Sequence, residues 1–327
     1  MNKAIRAFIL TVIMLTLAQY GTACAPQKQP IRIAISSWAG VEPLELASEL
    51  GYFEKHGVEV KIVRFSVYSD SIEAMIDGKV DAGMHTLDDA IRYFSRGKDV
   101  RVVLLTDYSF GSDGLVARPG IESLADLRWT KIGVESETVG YLSLLKILEL
   151  AGLSTNEVTI VSLPTWEIQQ AMLDGKIDAG VTWEPYLTST AKETGGRILI
   201  TSREYPETII TTMTLDAAIV GQRPEDVQKI VAAYFDAVEY IKENPQDAYR
   251  RMGLAEGIST AEFEAQVAGI KYLDLAANAD LFGKQGEGRI YDNTDTIVQF
   301  LFDQSVITSI PDINQLLLPF FIQELSK

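Results

Sequence analysis

The sequence predicts a two-lobed α/β fold in which two parallel-rich sheets are flanked by helices, joined by a two-segment hinge and followed by a helical C-terminal tail. The first observation is a decamer that occurs twice, at Ala74–Gly83 and Ala171–Gly180, with eight identical positions and an offset of 97 residues. That offset is too long for a solenoid repeat but suits one lobe of a duplicated α/β unit. The second is an alternation of short apolar runs with helical stretches, which repeats in the same order in both halves. The third is the length and composition of the chain, because 327 residues, of which 47% are apolar, can form two hydrophobic cores.

The first 30 residues are predicted to lie outside the folded lobes. Lys3 and Arg6 precede an apolar run from Ala7 to Leu17, which is too short to span a membrane and is typical of a secretory signal. We therefore predict a lipoprotein-like signal peptide over 1–24 and a polar tether over 25–30.

Cys24 is the only cysteine of the chain, and it stands where the lipid-bearing cysteine of a bacterial lipoprotein would be placed. The competing interpretation is ordinary signal cleavage at the small residues Ala23-Cys24-Ala25. We favour lipidation because the single cysteine falls at this junction. The protein is then expected in the periplasm or another extracytoplasmic place, anchored to a bacterial membrane through Cys24.

The elements of the first lobe follow from apolar periodicity. Ser36-Ser37 ends the first strand, and Gly51 and Gly78 end the first two helices. The predicted strands are 31–35, 58–65, 80–84 and 100–106, and the predicted helices are 43–50, 72–76 and 87–93.

The same order of elements begins again after Pro119-Gly120. The predicted strands are 131–134, 158–163, 177–182 and 198–201, and the predicted helices are 139–150, 166–173 and 186–193. The decamer occupies one slot in both halves: a helix ends, the chain turns at Asp77-Gly78 or Asp174-Gly175, and a strand follows.

The chain after Thr211 is predicted to be mostly helical and to pack back on the first lobe. Pro224 suits a first helical turn, and the apolar face of that helix ends before Asn244-Pro245. Further helices are expected near 245–252, 260–270, 293–304 and 311–325. The predicted lobes are therefore 31–118 with 212–327 for lobe 1, and 119–211 for lobe 2.

Composition excludes several classes of function. A formal charge of −16, from 45 acidic and 29 basic residues, argues against nucleic-acid binding. One cysteine and two histidines, His56 and His85, leave little material for a disulfide, a zinc site or a catalytic triad. No GxSxG elbow, phosphate-binding loop or HExxH motif is present, so we predict no enzyme, no metal and no cofactor.

Three motifs together resemble one known family. They are Glu49–Val63 (ELGYFEKHGVEVKIV), the two DGK-apolar-DAG turns, and Thr182–Tyr186 (TWEPY). The chain is similar over about 31–245 to the nitrate/sulfonate/taurine-type periplasmic substrate-binding proteins of ABC importers, which are related to pyrimidine-precursor binders. The resemblance implies a periplasmic-binding-protein fold with two hinged lobes, a small-molecule ligand, and an ABC permease of the inner membrane as partner. We expect the protein to be a monomer.

Candidate ligand-binding residues follow from the rule that ligands of open parallel sheets bind beyond the carboxyl ends of the strands. The aromatic residues could instead pack in the hydrophobic core, and His85 could have a structural role instead of contacting the ligand. The alternative role for the carboxylates of Asp88, Glu137 and Glu184 is to stabilise helix N-termini. The candidates are Ser37, Trp38, Tyr68, His85, Thr86, Asp88, Tyr108, Asp113, Glu137, Thr138, Trp183 and Glu184.

The chemistry of these loops predicts a positively charged ligand. They contain carboxylates and aromatic rings but no lysine or arginine. Unpaired buried carboxylates are costly, and aromatic faces attract cations. We therefore predict a small nitrogenous cation such as guanidinium or an amine. The alternatives are a small anion (nitrate, a sulfonate or taurine) or a pyrimidine, and, from other classes, a sensor domain or an enzyme.

Overall fold

Residues 28–327 are described by the structure, a computed structural model. The predicted signal peptide, the lipidation site Cys24 and the start of the tether lie outside these residues. The strands are β1 Ile31–Ile35, β2 Val60–Arg64, β3 Ala82–Thr86, β4 Val100–Ser109, β5 Asp113–Ala117, β6 Lys131–Val134, β7 Thr159–Ser162, β8 Ala179–Trp183, β9 Arg197–Thr201, β10 Ile210–Asp216 and β11 Ile270–Tyr272.

Helices cover both sheets and make up most of the chain after β10. They are α1 Glu42–Glu49, α2 Tyr52–His56, α3 Tyr68–Ile76, α4 Leu87–Ser95, α5 Val139–Ala151, α6 Ile168–Leu173, α7 Tyr186–Thr194, α8 Ala217–Gln222, α9 Pro224–Glu243, α10 Pro245–Glu256, α11 Thr260–Val267, α12 Leu275–Phe282, α13 Arg289–Asp303, α14 Ile313–Leu316 and α15 Phe320–Leu325. None of these helices is long and apolar enough to cross a membrane, within the part of the chain that the structure describes.

Two sheets form the two lobes. The first has the strand order β11-β4-β10-β3-β1-β2, and the second has β7-β6-β8-β5-β9. Each repeat supplies three parallel strands, β2-β1-β3 and β7-β6-β8. Antiparallel strands complete both sheets, so they are mixed rather than parallel-rich as predicted. The two-lobed architecture with helices on both sheets and a helical C-terminal region is confirmed.

The chain changes from one sheet to the other twice, and both crossings come earlier than the sequence predicts. The first lies between β4 and β5, at 110–112, because β5 is hydrogen bonded to β8 and β9 in the second sheet. The second lies between β9 and β10, at 202–209. Below, lobe 1 means 31–109 with 210–327, and lobe 2 means 113–201.

The decamer forms the same turn in both lobes. Gly78 and Gly175 have φ angles of 69° and 66°, which glycine adopts without the strain of a Cβ. Beside them, Asp77 pairs with Lys79 and Asp174 with Lys176, each at 2.8 Å. The turn therefore connects each helix to the strand whose far end, Thr86 or Trp183, reaches the cleft.

Candidate functional site

A small cavity lies between the two lobes, at the carboxyl ends of β3 and β8. Its volume is about 30 Å³, counted as the space that the centre of a water-sized sphere can occupy. By the same measure one water needs roughly 10–15 Å³, so the cavity suits a ligand of a few heavy atoms. It is lined by Ser36, Trp38, Val41, Tyr68, Met84, Thr86, Asp113, Val139, Trp183, Ile209 and Thr211.

Strand register explains why these side chains meet. In lobe 1, Thr211 of β10 lies opposite both Thr86 of β3 and Asp107 of β4. In lobe 2, Asp113, the first residue of β5, lies opposite Trp183, the last residue of β8. The two rows of residues face each other across the cleft.

Three aromatic rings enclose the cavity. Tyr68 of lobe 1 and Trp183 of lobe 2 pack edge to face, with ring centroids 5.9 Å apart and an interplanar angle of 73°. The Nε1 of Trp38 donates a hydrogen bond of 3.1 Å to Asp107 Oδ1, which fixes the orientation of the indole. The walls thus offer aromatic surface from both lobes.

Asp113 is the charged group of the cavity wall. Its side chain is 3% exposed, and its Oδ2 is buried without a hydrogen-bond partner. Burial raises the pKa of this carboxyl to about 7, against a hydrogen bond from Ser109, and the nearby carboxylates of Asp107, Asp88 and Glu184 raise it further. A buried acceptor without a donor is a site where a ligand can supply the missing hydrogen bond.

Asp107 lies behind the wall and is better satisfied. It accepts hydrogen bonds from Trp38 Nε1, from Thr211 Oγ1 at 3.1 Å and from Thr106 Oγ1 at 2.9 Å. Burial raises its pKa to about 6, and those three donors limit the shift. Asp107 therefore positions Trp38 and Thr211 and leaves Asp113 as the acceptor open to a ligand.

A second polar network occupies the start of α4. Tyr68 Oη donates to Asp89 Oδ2 at 2.7 Å and accepts from the Thr86 N–H at 3.0 Å. Arg92, one turn along, pairs with Asp88 at 3.0 Å and donates to the carbonyl of Thr138 at 2.9 Å. The last bond joins lobe 1 to lobe 2, so this network supports the cavity and links the lobes.

Five of the predicted site residues line the cavity, and a sixth adjoins it. Ser37 lines a neighbouring small pocket that also contacts Tyr68 and Trp183. The five are Trp38, Tyr68, Thr86, Asp113 and Trp183.

The other predicted residues of lobe 1 lie elsewhere. His85 is fully buried against Ser71, with Nε2 3.1 Å from Ser71 Oγ, and burial lowers its pKa to about 3. Asp88 points to Arg92, as described above. Tyr108 faces a separate pocket next to the second crossing, beside Glu207.

The other predicted residues of lobe 2 do not line the cavity either. Glu137 is exposed and pairs with Arg96 at 3.0 Å. Thr138 is the N-cap of α5 and accepts from the Gly140 N–H at 3.2 Å. Glu184 accepts from the Thr188 N–H at 3.2 Å, in the first turn of α7. Glu184 thus matches the structural alternative stated for it, whereas Glu137 forms an ion pair between the lobes.

Three polar residues outside the set of candidates belong to the site, namely Ser36 and Thr211 on the wall and Asp107 behind it. Ser36 directly precedes the predicted Ser37 and is the first residue after β1. Thr211 was not found because β10 was not predicted, and the register of β10 is what brings it beside Asp107 and Thr86. Within residues 28–327, no group of three or more His, Cys, Asp or Glu side chains is arranged to hold a metal ion.

Comparison with known proteins gives one family match and several likenesses. The model of the family described as NMT1/THI5 like matches residues 38–248. A putative aliphatic sulfonates-binding protein of Bacillus subtilis is 28% identical over 255 residues, which cover 76% of each chain.

Two solved structures share the fold. The ligand-binding component of an ABC-type import system from Staphylococcus aureus, with zinc bound, superposes with a TM-score of 0.75 at 15% identity, over 91% of this chain and 99% of that one. The alkanesulfonate-binding protein SsuA from Xanthomonas axonopodis pv. citri, bound to MOPS, gives 0.75 at 16% identity, over 90% and 100%. Because the family model matches more than half of the chain, this protein belongs to the NMT1/THI5-like family.

Proposed function

We propose that this chain is an extracytoplasmic solute-binding protein that captures a small nitrogenous cation, guanidinium or an organic amine, between its lobes and delivers it to an ABC permease. The observation that carries the choice of ligand is Asp113. Its buried carboxylate has an unpartnered Oδ2 on the wall of a cavity otherwise built from aromatic, apolar and hydroxyl side chains.

The transport role is supported by the family and by the fold. The Bacillus relative is named for aliphatic sulfonates, and both solved structures described above are ligand-binding components or binding proteins. The cavity at the carboxyl ends of the strands, between two lobes joined by two segments, is where such a fold holds its solute.

The charge of the wall favours a cation over a sulfonate. No lysine or arginine of residues 28–327 lines the cavity, whereas Asp113 does. A bound anion would place a second negative charge beside this buried carboxylate, and a bound cation would pair with it. Guanidinium can donate two parallel N–H bonds to a carboxylate while its flat face lies against an indole.

The size of the cavity favours a small cation over a pyrimidine or a larger sulfonate. Guanidinium has four heavy atoms, which suits a space of about 30 Å³ by the measure given above. The rings of Trp38, Tyr68 and Trp183 surround that space. Each well-placed ring contributes roughly 0.5–2 kcal/mol to a cation.

The proposal includes where the protein acts and its oligomeric state. The secretory signal and Cys24 support export and a lipid anchor, and binding proteins of this fold act on a membrane permease. We propose a monomer that binds and does not catalyse. In the described residues both histidines serve the fold, since His85 is buried against Ser71 and His56 bonds Asp236 at 2.9 Å.

Isothermal calorimetry of the mature protein tests the proposal. The titrants are guanidinium, methylamine, nitrate, methanesulfonate, taurine and an aminopyrimidine. Binding of guanidinium or methylamine, and its loss in Asp113→Asn, is the expected result. The matched control is Asp99→Asn, because Asp99 is exposed, lies away from the cavity and forms its ion pair with Arg101. Tight binding of nitrate or a sulfonate without any response to cations would refute the cation assignment and leave the transport role standing.

A further inference from the structure

Glu135 joins the two lobes through both oxygens of its carboxylate. It directly follows β6 in lobe 2 and is 5% exposed. Its Oε1 accepts a hydrogen bond of 3.1 Å from the N–H of Ser69 in lobe 1. Its Oε2 accepts one of 3.2 Å from the N–H of Thr165 in lobe 2.

Both N–H groups belong to helix beginnings that lack any other side-chain cap. Ser69 is the second residue of the nine-residue α3, and its N-cap, Val67, provides no side-chain acceptor. Thr165 begins the short 3₁₀ turn Thr165–Glu167, where Pro164 provides none either. Uncapped N–H groups and the positive end of a helix attract anions, and at α3 the carboxylate of Glu135 meets such an N–H, while at Thr165 it accepts from a single backbone N–H.

The surroundings of Glu135 are those of an oxyanion pocket. A small pocket beside the main cavity is lined by Glu135 together with the hydroxyl residues Ser36, Ser37, Ser66 and Thr165. Thr165 is 4% exposed, and its Oγ1 is buried without a hydrogen-bond partner. Tyr68 and Trp183 line this pocket and the main cavity alike, so the two spaces adjoin.

We propose that Glu135 is a specificity-determining residue whose carboxylate occupies the place where an oxyanion ligand would be bound. The inference rests on the proposed solute-binding function and extends it to the basis of ligand choice. In this chain the backbone donors are already used by Glu135, so sulfonates and carboxylates are excluded. The charge of Glu135, next to the cavity, further favours a cation at Asp113.

Truncation of Glu135 combined with added acetate tests this directly. Glu135→Ala removes a methylene and a carboxylate, and acetate supplies a methyl and a carboxylate of nearly the same shape. Acetate, and more weakly the bulkier methanesulfonate, is expected to bind this variant at least tenfold more tightly than the wild type. The readouts are calorimetry and the rise of the unfolding temperature with acetate concentration, with chloride as the matching salt.

Glu137→Ala is the matched control. Glu137 lies two residues away, carries the same charge and also pairs across the lobes, but it is exposed and bonds Arg96 instead of backbone N–H groups. This variant should bind acetate no better than the wild type. Glu135→Gln, which removes the charge and keeps the volume, should also show no gain.

Three results would overturn the assignment: no acetate response in either Glu135→Ala or the second truncation Glu135→Ser, an equal gain in Glu135→Gln, or methanesulfonate binding by the wild type as tight as by Glu135→Ala. Because both truncations are also followed by thermal unfolding, a weakly folded variant still reports acetate as stabilisation. Guanidinium titration of the wild type separately tests the proposed function. Its failure would remove the cation proposal and leave the acetate gain measurable.

Discussion

Asp113 and Asp107 show how one missing donor distinguishes a binding residue from a supporting one. Both aspartates are buried, and burial raises the pKa of both. Asp107 accepts from three side chains, whereas Oδ2 of Asp113 has no partner. The free acceptor, and not burial alone, marks Asp113 as the group that awaits a ligand.

Affinity for guanidinium is expected to depend on pH through Asp113. The pKa of its carboxyl is raised to about 7, so protonation competes with the cation. The affinity should therefore fall as the pH drops from 8 to 6, by up to roughly tenfold per pH unit below the pKa. Calorimetry at several pH values would measure this, and Asp113→Asn should bind weakly at every pH. A flat wild-type profile would mean that Asp113 does not hold the ligand.

The free energy of unfolding of the ligand-free protein should also depend on the protonation of Asp113. It should fall as the pH rises, whereas the affinity for guanidinium should increase. The pKa of Asp113 is about 7 in the folded protein and lower in the unfolded chain, so the folded state holds more protons between roughly pH 4 and 7. The free energy of unfolding should then decrease as pH rises through this window, by roughly 1 kcal/mol or more from Asp113. Urea unfolding at pH 5 and pH 8 measures the difference, which Asp113→Asn should reduce and Asp99→Asn should not.

At the scale of elements, the parallel strands of both sheets and the antiparallel β4 and β9 were predictable, whereas the antiparallel β5, β10 and β11 were not. Strands 131–134 and 31–35 match the structure because βαβ units repeat and apolar runs mark buried parallel strands. β10 reads ITTMTLD, in which threonines alternate with apolar residues as in a surface strand. In the fold Thr212 and Thr214 are buried and bond each other at 2.8 Å, so tertiary partners replace the expected solvent.

The same limit applies to the candidate site. The rule about carboxyl ends of strands leads to Trp38, Thr86 and Trp183, because it needs only the strand ends. It cannot tell which side chain of a loop faces the cleft, since Glu137 and Asp113 both follow from the same rule. Asp113 faces the cavity because β5 begins there and pairs with β8, a pairing that periodicity does not reveal.

Arg92 of α4 is expected to contribute strongly to the free energy of unfolding. It lies between Asp88 and the Thr138 carbonyl and is 3% exposed. Arg92→Met would leave a buried carboxylate unpaired, at a cost of about 3–5 kcal/mol. Because protonation relieves that charge, the loss should be larger at pH 8 than at pH 5.

Arg96→Met provides the comparison for Arg92→Met in urea unfolding. Arg96 lies four residues further along, is half exposed, and pairs with the exposed Glu137. Its replacement should cost roughly 0–1 kcal/mol. Equal losses for the two variants would contradict the structural role given to Arg92.

For the whole molecule, the contacts across the cleft describe a closed arrangement of the lobes. Lobe 1 meets lobe 2 through Tyr68 and Trp183 at the cavity and through the bond of Arg92 to Thr138. Further out, Lys146 Nζ lies 4.0 Å from the centroid of the Phe300 ring. The two connecting segments, at 110–112 and 202–209, are where the lobes can rotate relative to each other.

Ligand binding is therefore expected to shift the molecule from open to closed. Small-angle scattering of the mature protein should show a smaller radius of gyration when guanidinium is added. Tryptophan emission should move to shorter wavelength, because Trp183 is 8% exposed in the closed arrangement and would be more exposed when the lobes part. Asp113→Asn should show neither change at the same guanidinium concentration. If calorimetry records binding to the wild type while both signals stay constant, the lobes are closed before the ligand arrives, and entry must instead proceed by local movement at the cavity mouth.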